Sequence, residues 1–165
     1  MGNILCGSND STSTSDDAPL LPKFLEFCEK VRNNDPSILP EPSVPFWIRD
    51  LSEKEHIELA DALLENTNVT YLELRIVAYT KGSAEAMAKY LRSSKHLQRI
   101  QWTEASNGDD RAFLRHYEEM LCCFLAAIQK STSIKQLYME LPRRGGPSKL
   151  AFENMLTHTK SLRSL

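Results

Sequence analysis

No stretch of this chain approaches the roughly 18 consecutive apolar residues of a membrane-crossing helix. No apolar leader core follows the start either, since Ile4 and Leu5 are the only large apolar residues before Leu20. A transmembrane span and a secretory signal are therefore not expected. Charge of one sign is missing too. With 20 Lys and Arg against 22 Asp and Glu, the formal net charge is −2. That makes no global case for nucleic acid or an anionic lipid as partner. Residues 1–22 hold Asp10, Asp16 and Asp17 and no Lys or Arg, which leaves the remainder close to neutral. Cysteine is scarce and badly spaced for a metal: Cys6, Cys28, Cys122 and Cys123 form no C-x-x-C pair. All but Cys6 read as reduced structural thiols of an intracellular protein.

Catalytic and cofactor patterns are also absent. His56, His96, His116 and His158 share no metal-ligand spacing, and none adjoins a Cys or Ser with a third orienting group. They read as structural or surface residues. The segment Arg143-Arg144-Gly145-Gly146 lacks the Lys-Ser/Thr end of a phosphate loop and reads as a solvated connection. Asn68-Val69-Thr70 has the form of a glycosylation sequon, but Val69 occupies an apolar repeat position. With no convergent acid, base or nucleophile, the expectation is a protein that is not an enzyme. It should take no cofactor, no metal and no small-molecule substrate.

What the sequence does contain is a recurring apolar template. Leu63, Val69, Leu72 and Leu74 return as Leu91, Leu97, Ile100 and Trp102. They return again as Ile128, Ile134, Leu137 and Met139, then as Leu156, Leu162 and Leu165. From Val69 to Leu97 is 28 residues, from Leu97 to Ile134 is 37, and from Ile134 to Leu162 is 28. Four residues before each helical anchor stands a further apolar residue: Leu59, Met87, Phe124 and Phe152. A period in the high twenties marks a repeat architecture.

The chain divides accordingly. Residues 1–19 are small and polar and cannot bury apolar surface, so a disordered tail is expected. Residues 20–50 form an N-terminal cap. Leu20, Phe24, Phe27, Cys28 and Val31 fall at helical spacing, Pro22 suits a first turn, and Asn34-Asp35-Pro36 closes the helix. Pro36, Pro40, Pro42 and Pro45 then give an extended edge, with Phe46, Trp47 and Ile48 as apolar cover. Residues 51–165 hold three complete repeats and a fourth that ends in its strand.

The first repeat opens on the capping box Ser52-Glu53-Lys54-Glu55 and buries Ile57, Ala60, Leu63 and Leu64. The second helix is expected near Ser83, burying Ala84, Met87, Ala88 and Leu91. The third is expected from Asp109 or Asp110, burying Phe113, Leu114, Tyr117, Leu121, Phe124, Leu125 and Ile128. Its nine extra residues fall in the loop from Glu104 to Asp110, in added helical turns, or in both. A fourth helix holds Leu150, Phe152, Met155 and Leu156.

Helix, turn and short strand in constant order stack into a parallel sheet with helices on one side. The apolar strand residues then face the helices. The opposite, concave face displays Tyr71, Glu73 and Arg75, then Arg99 and Gln101, then Gln136, Tyr138 and Glu140. Tyr and Arg are the residue types favoured at binding hot spots.

Leu-x-x-Leu-x-Leu strands at this period resemble leucine-rich repeats of the ribonuclease-inhibitor type. The implied fold is an α/β leucine-rich-repeat solenoid, a horseshoe segment with its short parallel sheet on the concave side and helices on the convex side. Arg32-Asn33-Asn34-Asp35-Pro36, with the helix end Ala62-Leu63-Leu64-Glu65-Asn66-Thr67, also resembles the repeat domain of tropomodulins, actin pointed-end cappers. Family turns often carry Asn or Cys three residues after the last strand leucine. Here those positions are Val77, Ala105 and Pro142, so the turns must close differently. The resemblance implies a non-catalytic scaffold or adaptor that binds another protein through its concave face. The alternative is a cytoskeletal regulator of tropomodulin type, or a small-GTPase regulator.

Met1-Gly2-Asn3-Ile4-Leu5-Cys6 resembles an N-myristoylation site on Gly2, with Cys at position 6 in place of the preferred Ser or Thr. Cys6 is a palmitoylation candidate, and a stable anchor needs both chains, because one myristoyl group holds only marginally. A polybasic stretch near the tail does not supply the second signal, as the first basic residue is Lys23. The expectation is a cytoplasmic protein, held at the cytoplasmic face of a membrane if both sites are acylated. The last copy of the template stops inside its strand. The array is accordingly expected to be one cut short, unless a partner or a second copy covers that end.

Overall fold

The computed structural model describes residues 22–38, 51–74, 79–102, 111–139 and 147–163. The predicted tail, the proline-rich edge beyond Ile38 and the apolar cover Phe46-Trp47-Ile48 lie outside the described residues.

Local signals start and stop the elements. Helix α1 (Pro22–Arg32) buries Phe24, Cys28 and Val31 at helical spacing. It ends where Asn34 takes a left-handed backbone, φ 54°, which Asn tolerates better than most residues. Helix α2 (Glu53–Glu65) opens with a reciprocal cap. Ser52 accepts from the Glu55 N–H, and the Glu55 carboxylate accepts from the Ser52 N–H. Strand β1 (Tyr71–Leu74) leads to helix α3 (Lys81–Ser93). That helix starts two residues before the expected Ser83, because Thr80 is its N-cap. Ser83 plays the part that Glu55 plays in α2, returning its hydroxyl to the Thr80 N–H. Strand β2 (Arg99–Trp102), helix α4 (Arg111–Lys130), strand β3 (Gln136–Met139) and helix α5 (Pro147–His158) complete the order.

The strands form one parallel sheet, ordered β1-β2-β3. Leu72, Ile100 and Leu137 stand in one cross-strand row, and Leu74, Trp102 and Met139 in another. All but Met139 are buried, and that residue packs against the core. Each helix packs on its neighbour in sequence, α1 on α2 through to α4 on α5. The molecule is thus a mixed α/β structure with a short parallel sheet against a row of helices. Leu63, Leu91 and Ile128, the helical anchors of the first three copies, are all buried, as are Leu59, Met87 and Phe124.

Some expectations fail in detail. In α2 the buried face runs through His56, Leu59, Ala60, Ala62 and Leu63, while Ile57 and Leu64 are only half-buried. A helix packed between α1 and α3 buries a wide face, and that face takes in His56. In α5, Leu150 and Leu156 are exposed, at 61% and 37%, and among its described side chains Met155 alone is fully buried. Among the described residues α5 has a helical neighbour only on the α4 side, so its apolar residues outnumber the positions that can be covered. Of the nine extra residues in the third unit, seven lengthen α4 to 20 against 13 in α3. The remaining two lie in the connection before it. Asp109 and Asp110 and the side chains of Phe113 and Leu114 lie outside the described residues.

The core is tied across elements by rings. His56 lies 4.4 Å from Tyr79, Tyr79 5.2 Å from Phe124, and Phe124 6.3 Å from Trp102, centroid to centroid. His116 Nε2 reaches the Tyr79 carbonyl at 2.7 Å. Burial lowers the His56 pKa, and Nδ1 lies 3.1 Å from the Ser52 carbonyl. Cys28, Cys122 and Cys123 are free thiols, and burial pushes Cys28 up to about 12.

Candidate interaction surface

Parallel pairing decides which side chains meet on the sheet face turned away from the core. The register sets Tyr71 beside Arg99 beside Gln136, and Glu73 beside Gln101 beside Tyr138. Six of the eight expected partner-binding residues therefore form two adjacent rows on one surface. Arg75 and Glu140 lie outside the described residues, as do the lipidation candidates Gly2 and Cys6.

The rows are not uniform. Tyr71 Oη donates to Gln101 Oε1 at 2.8 Å, and the Arg99 guanidinium sits 5.3 Å from the Tyr71 ring centroid. Burial raises the Tyr71 pKa, with a smaller contribution from Glu73 nearby. This half of the face is held in place by its own contacts. On β3, by contrast, Tyr138 is 48% exposed. An amphipathic ring in that position offers apolar area and a hydroxyl at low cost in side-chain entropy.

Beyond the short turn Asn66-Thr67-Asn68, sequence reading missed the residues that close the chain between helix and strand. They sit where each helix turns into its strand. Asn66 Oδ1 accepts from the Asn68 and Val69 N–H groups at 2.9 and 2.7 Å. Ser94 Oγ accepts from His96 and Leu97 at 3.3 and 3.1 Å, and Ser131 Oγ from Ser133 and Ile134 at 3.4 Å each. These are local side-chain-to-backbone turns. They close the chain at the opposite end of the strand from Val77, Ala105 and Pro142, which lie outside the described residues. The signal was present in the sequence: Asn66, Ser94, Ser131 and Thr159 recur at the repeat spacing and are all small polar residues.

The turns are stitched to one another. The Gln98 N–H donates to the Thr70 carbonyl at 2.8 Å, Lys135 to Gln98 at 2.8 Å, and Arg163 to Lys135 at 2.7 Å. Ser133 Oγ donates to the Ser94 carbonyl at 2.7 Å and Ser161 Oγ to the Ser131 carbonyl at 3.1 Å. The fourth copy thus joins the ladder at Arg163, with Leu162 packed on the core, while Leu165 lies outside the described residues. A small cleft of about 170 Å³ opens between the first two turns, lined by Leu64, Asn66, Thr67 and Ser93 to His96. Among the described residues no group of three or more His, Cys, Asp or Glu is placed to hold a metal ion. No described helix is long and apolar enough to cross a membrane.

This architecture is similar to a solved structure, the leiomodin-1 actin-binding site 2 (ABS2). The TM-score is 0.57, with 18% sequence identity over 90% of this chain and 79% of that one. At that identity the likeness is one of fold. No family model matches the chain, and no curated protein matches it.

Proposed function

We propose that the chain is a non-catalytic protein-binding module of the leucine-rich-repeat type, and that its partner docks on the open face of the parallel sheet. The observation that carries this reading is the pair of cross-strand rows Tyr71-Arg99-Gln136 and Glu73-Gln101-Tyr138. They combine a braced, polar-aromatic half with the exposed ring of Tyr138. Such a surface supplies an aromatic anchor beside preordered hydrogen-bonding groups, the composition of a binding hot spot. Arg75 and Glu140 extend the same face in this reading. Capture of partners by the full chain, compared with a Tyr71→Ala, Arg99→Ala, Tyr138→Ala triple variant, tests it. The variant should fold and lose its partners, and an unchanged partner set would move the site off the sheet.

A second reading is cytoskeletal. The leiomodin-1 chain that resembles this one over most of its length is an actin-binding site, so actin is the first partner to try. Co-sedimentation with filaments and binding to monomeric actin discriminate this from a general adaptor role. Acylation of Gly2 and Cys6, with residence at the cytoplasmic face of a membrane, completes the proposal. Equal labelling of the natural chain and Gly2→Ala by a fatty-acid analogue would remove that part of it.

A further inference from the structure

The edge of the molecule formed by the helix-to-strand turns carries a one-sided charge. The stretches around the last three turns, 86–102, 123–139 and 151–163, contain eight Lys or Arg against a single acid, Glu153. The matching stretch of the first unit, 58–74, has the opposite character, with Glu58, Asp61, Glu65 and Glu73 and no Lys or Arg. The stitching between turns brings the basic groups into one row. Gln98, Lys135 and Arg163 occupy equivalent positions of successive units, joined by the backbone hydrogen bonds of the ladder. Lys95 and Lys160 sit at the tips of their turns and are exposed, as is Arg163, while Lys135 is half-buried.

We propose that this rim docks on anionic phospholipid head groups, holding the array edge-on against a membrane surface. A row of basic turn residues along one edge suits a plane of head groups, to which each Lys or Arg adds a separate electrostatic increment. Nucleic acid is a poorer fit. The turn residues 94–98, 131–135 and 159–163 include no Phe, Tyr or Trp on which a base would stack. An acidic protein segment is also a poorer fit, because apart from the imidazole of His96 the exposed side chains of these turns offer no aromatic or apolar anchor. The rim would act as the second membrane signal beside one acyl chain, yet its own attraction does not depend on acylation.

The test uses the full, unacylated chain and vesicles of phosphatidylcholine alone or mixed with phosphatidylserine. Co-sedimentation is expected with the mixed vesicles only, and it should weaken as salt rises above about 0.15 M. Replacing Lys95, Lys135, Lys160 and Arg163 by Gln should reduce the apparent affinity on the order of a hundredfold or more. Lys23→Gln with Lys81→Gln, at the far ends of α1 and α3, should leave it unchanged. Thermal unfolding followed by circular dichroism reports whether the fourfold variant folds. The pair Lys95→Gln and Lys160→Gln, on exposed tips alone, gives an independent reading with an expected loss of roughly tenfold. No binding to either vesicle, or full binding by folded rim variants, overturns the proposal. So does tighter binding to duplex DNA or to polyglutamate than to the mixed vesicles.

Discussion

The first turn and the later turns solve the same problem with different chemistry. In the first, one buried side chain both closes the turn and reaches back: Asn66 accepts two backbone N–H groups and sends its own amide to the Val31 carbonyl at 2.6 Å. Asn34 answers from the preceding turn, accepting from the Thr67 N–H at 2.7 Å and its hydroxyl at 3.1 Å. In the later turns the work is divided. Ser94 and Ser131 hold the local N–H groups, and separate serines, Ser133 and Ser161, reach back to the previous unit. A serine has one short arm where an asparagine has two functional groups. The first turn is therefore the rigid junction between α1 and the repeats, among acidic neighbours. The later turns spread the bonding over several small residues and carry Lys95, Lys135, Lys160 and Arg163 along the same edge.

Among the turns, breaking the first junction should cost most. Asn66→Ala strands a buried carbonyl and two N–H groups, and we expect about 3 kcal/mol of lost stability in denaturant unfolding. Ser131→Ala removes three long hydrogen bonds of 3.4 Å each, so about 1 kcal/mol is expected from the same measurement. If the two losses were equal, the contrast between the turns would fail.

A dependence on pH sharpens the comparison next, because His56 lies in the helix that ends at the first turn. Its folded pKa lies below the ordinary 6.5 and the unfolded chain binds the proton more readily. Stability from keeping His56 neutral is thus fully present above about 6.5 and declines as pH falls below it. Unfolding midpoints should drop on acidification, and His56→Gln should flatten that part of the curve. The smallest effect is expected at the other end of the molecule. Leu150→Ala, at a residue 61% exposed, should change stability by less than about 0.5 kcal/mol. Met155→Ala, fully buried on the same helix, should cost about 2–4 kcal/mol. If the order of those two losses reversed, the assigned orientation of α5 would be wrong.

Much of this was legible from residue spacing. The capping box at Ser52, the end of α1 at Asn34, the strand leucines and the anchors Leu63, Leu91 and Ile128 all follow from short-range rules. Those rules carry information because helix and strand periods differ. The N-cap of α3 was not legible, because Thr80 with Ser83 is a less familiar box than Ser52 with Glu55. Leu156, the helical anchor of the fourth copy, stays exposed: spacing identifies a helical stripe but not whether a neighbour exists to cover it. Of the candidate surface, the identity of Tyr71, Arg99 and Tyr138 was readable. The bracing of Tyr71 by Gln101 and Arg99 was not, since it depends on cross-strand register.

By itself the sequence determined the repeat, its irregular third interval and the alternation that turns one strand face inward, because these depend on contacts within about 30 residues. It also set the nearly balanced charge, from which no anionic partner could be inferred. Only the tertiary structure decided how that charge is distributed. Stacking turns that are 28 or 37 residues apart in the chain brings Lys95, Lys135, Lys160 and Arg163 onto one edge. The acidic residues of the first unit stay at its other end. Net charge is a sum over the chain, whereas an electrostatic surface depends on which positions the backbone hydrogen bonds make neighbours.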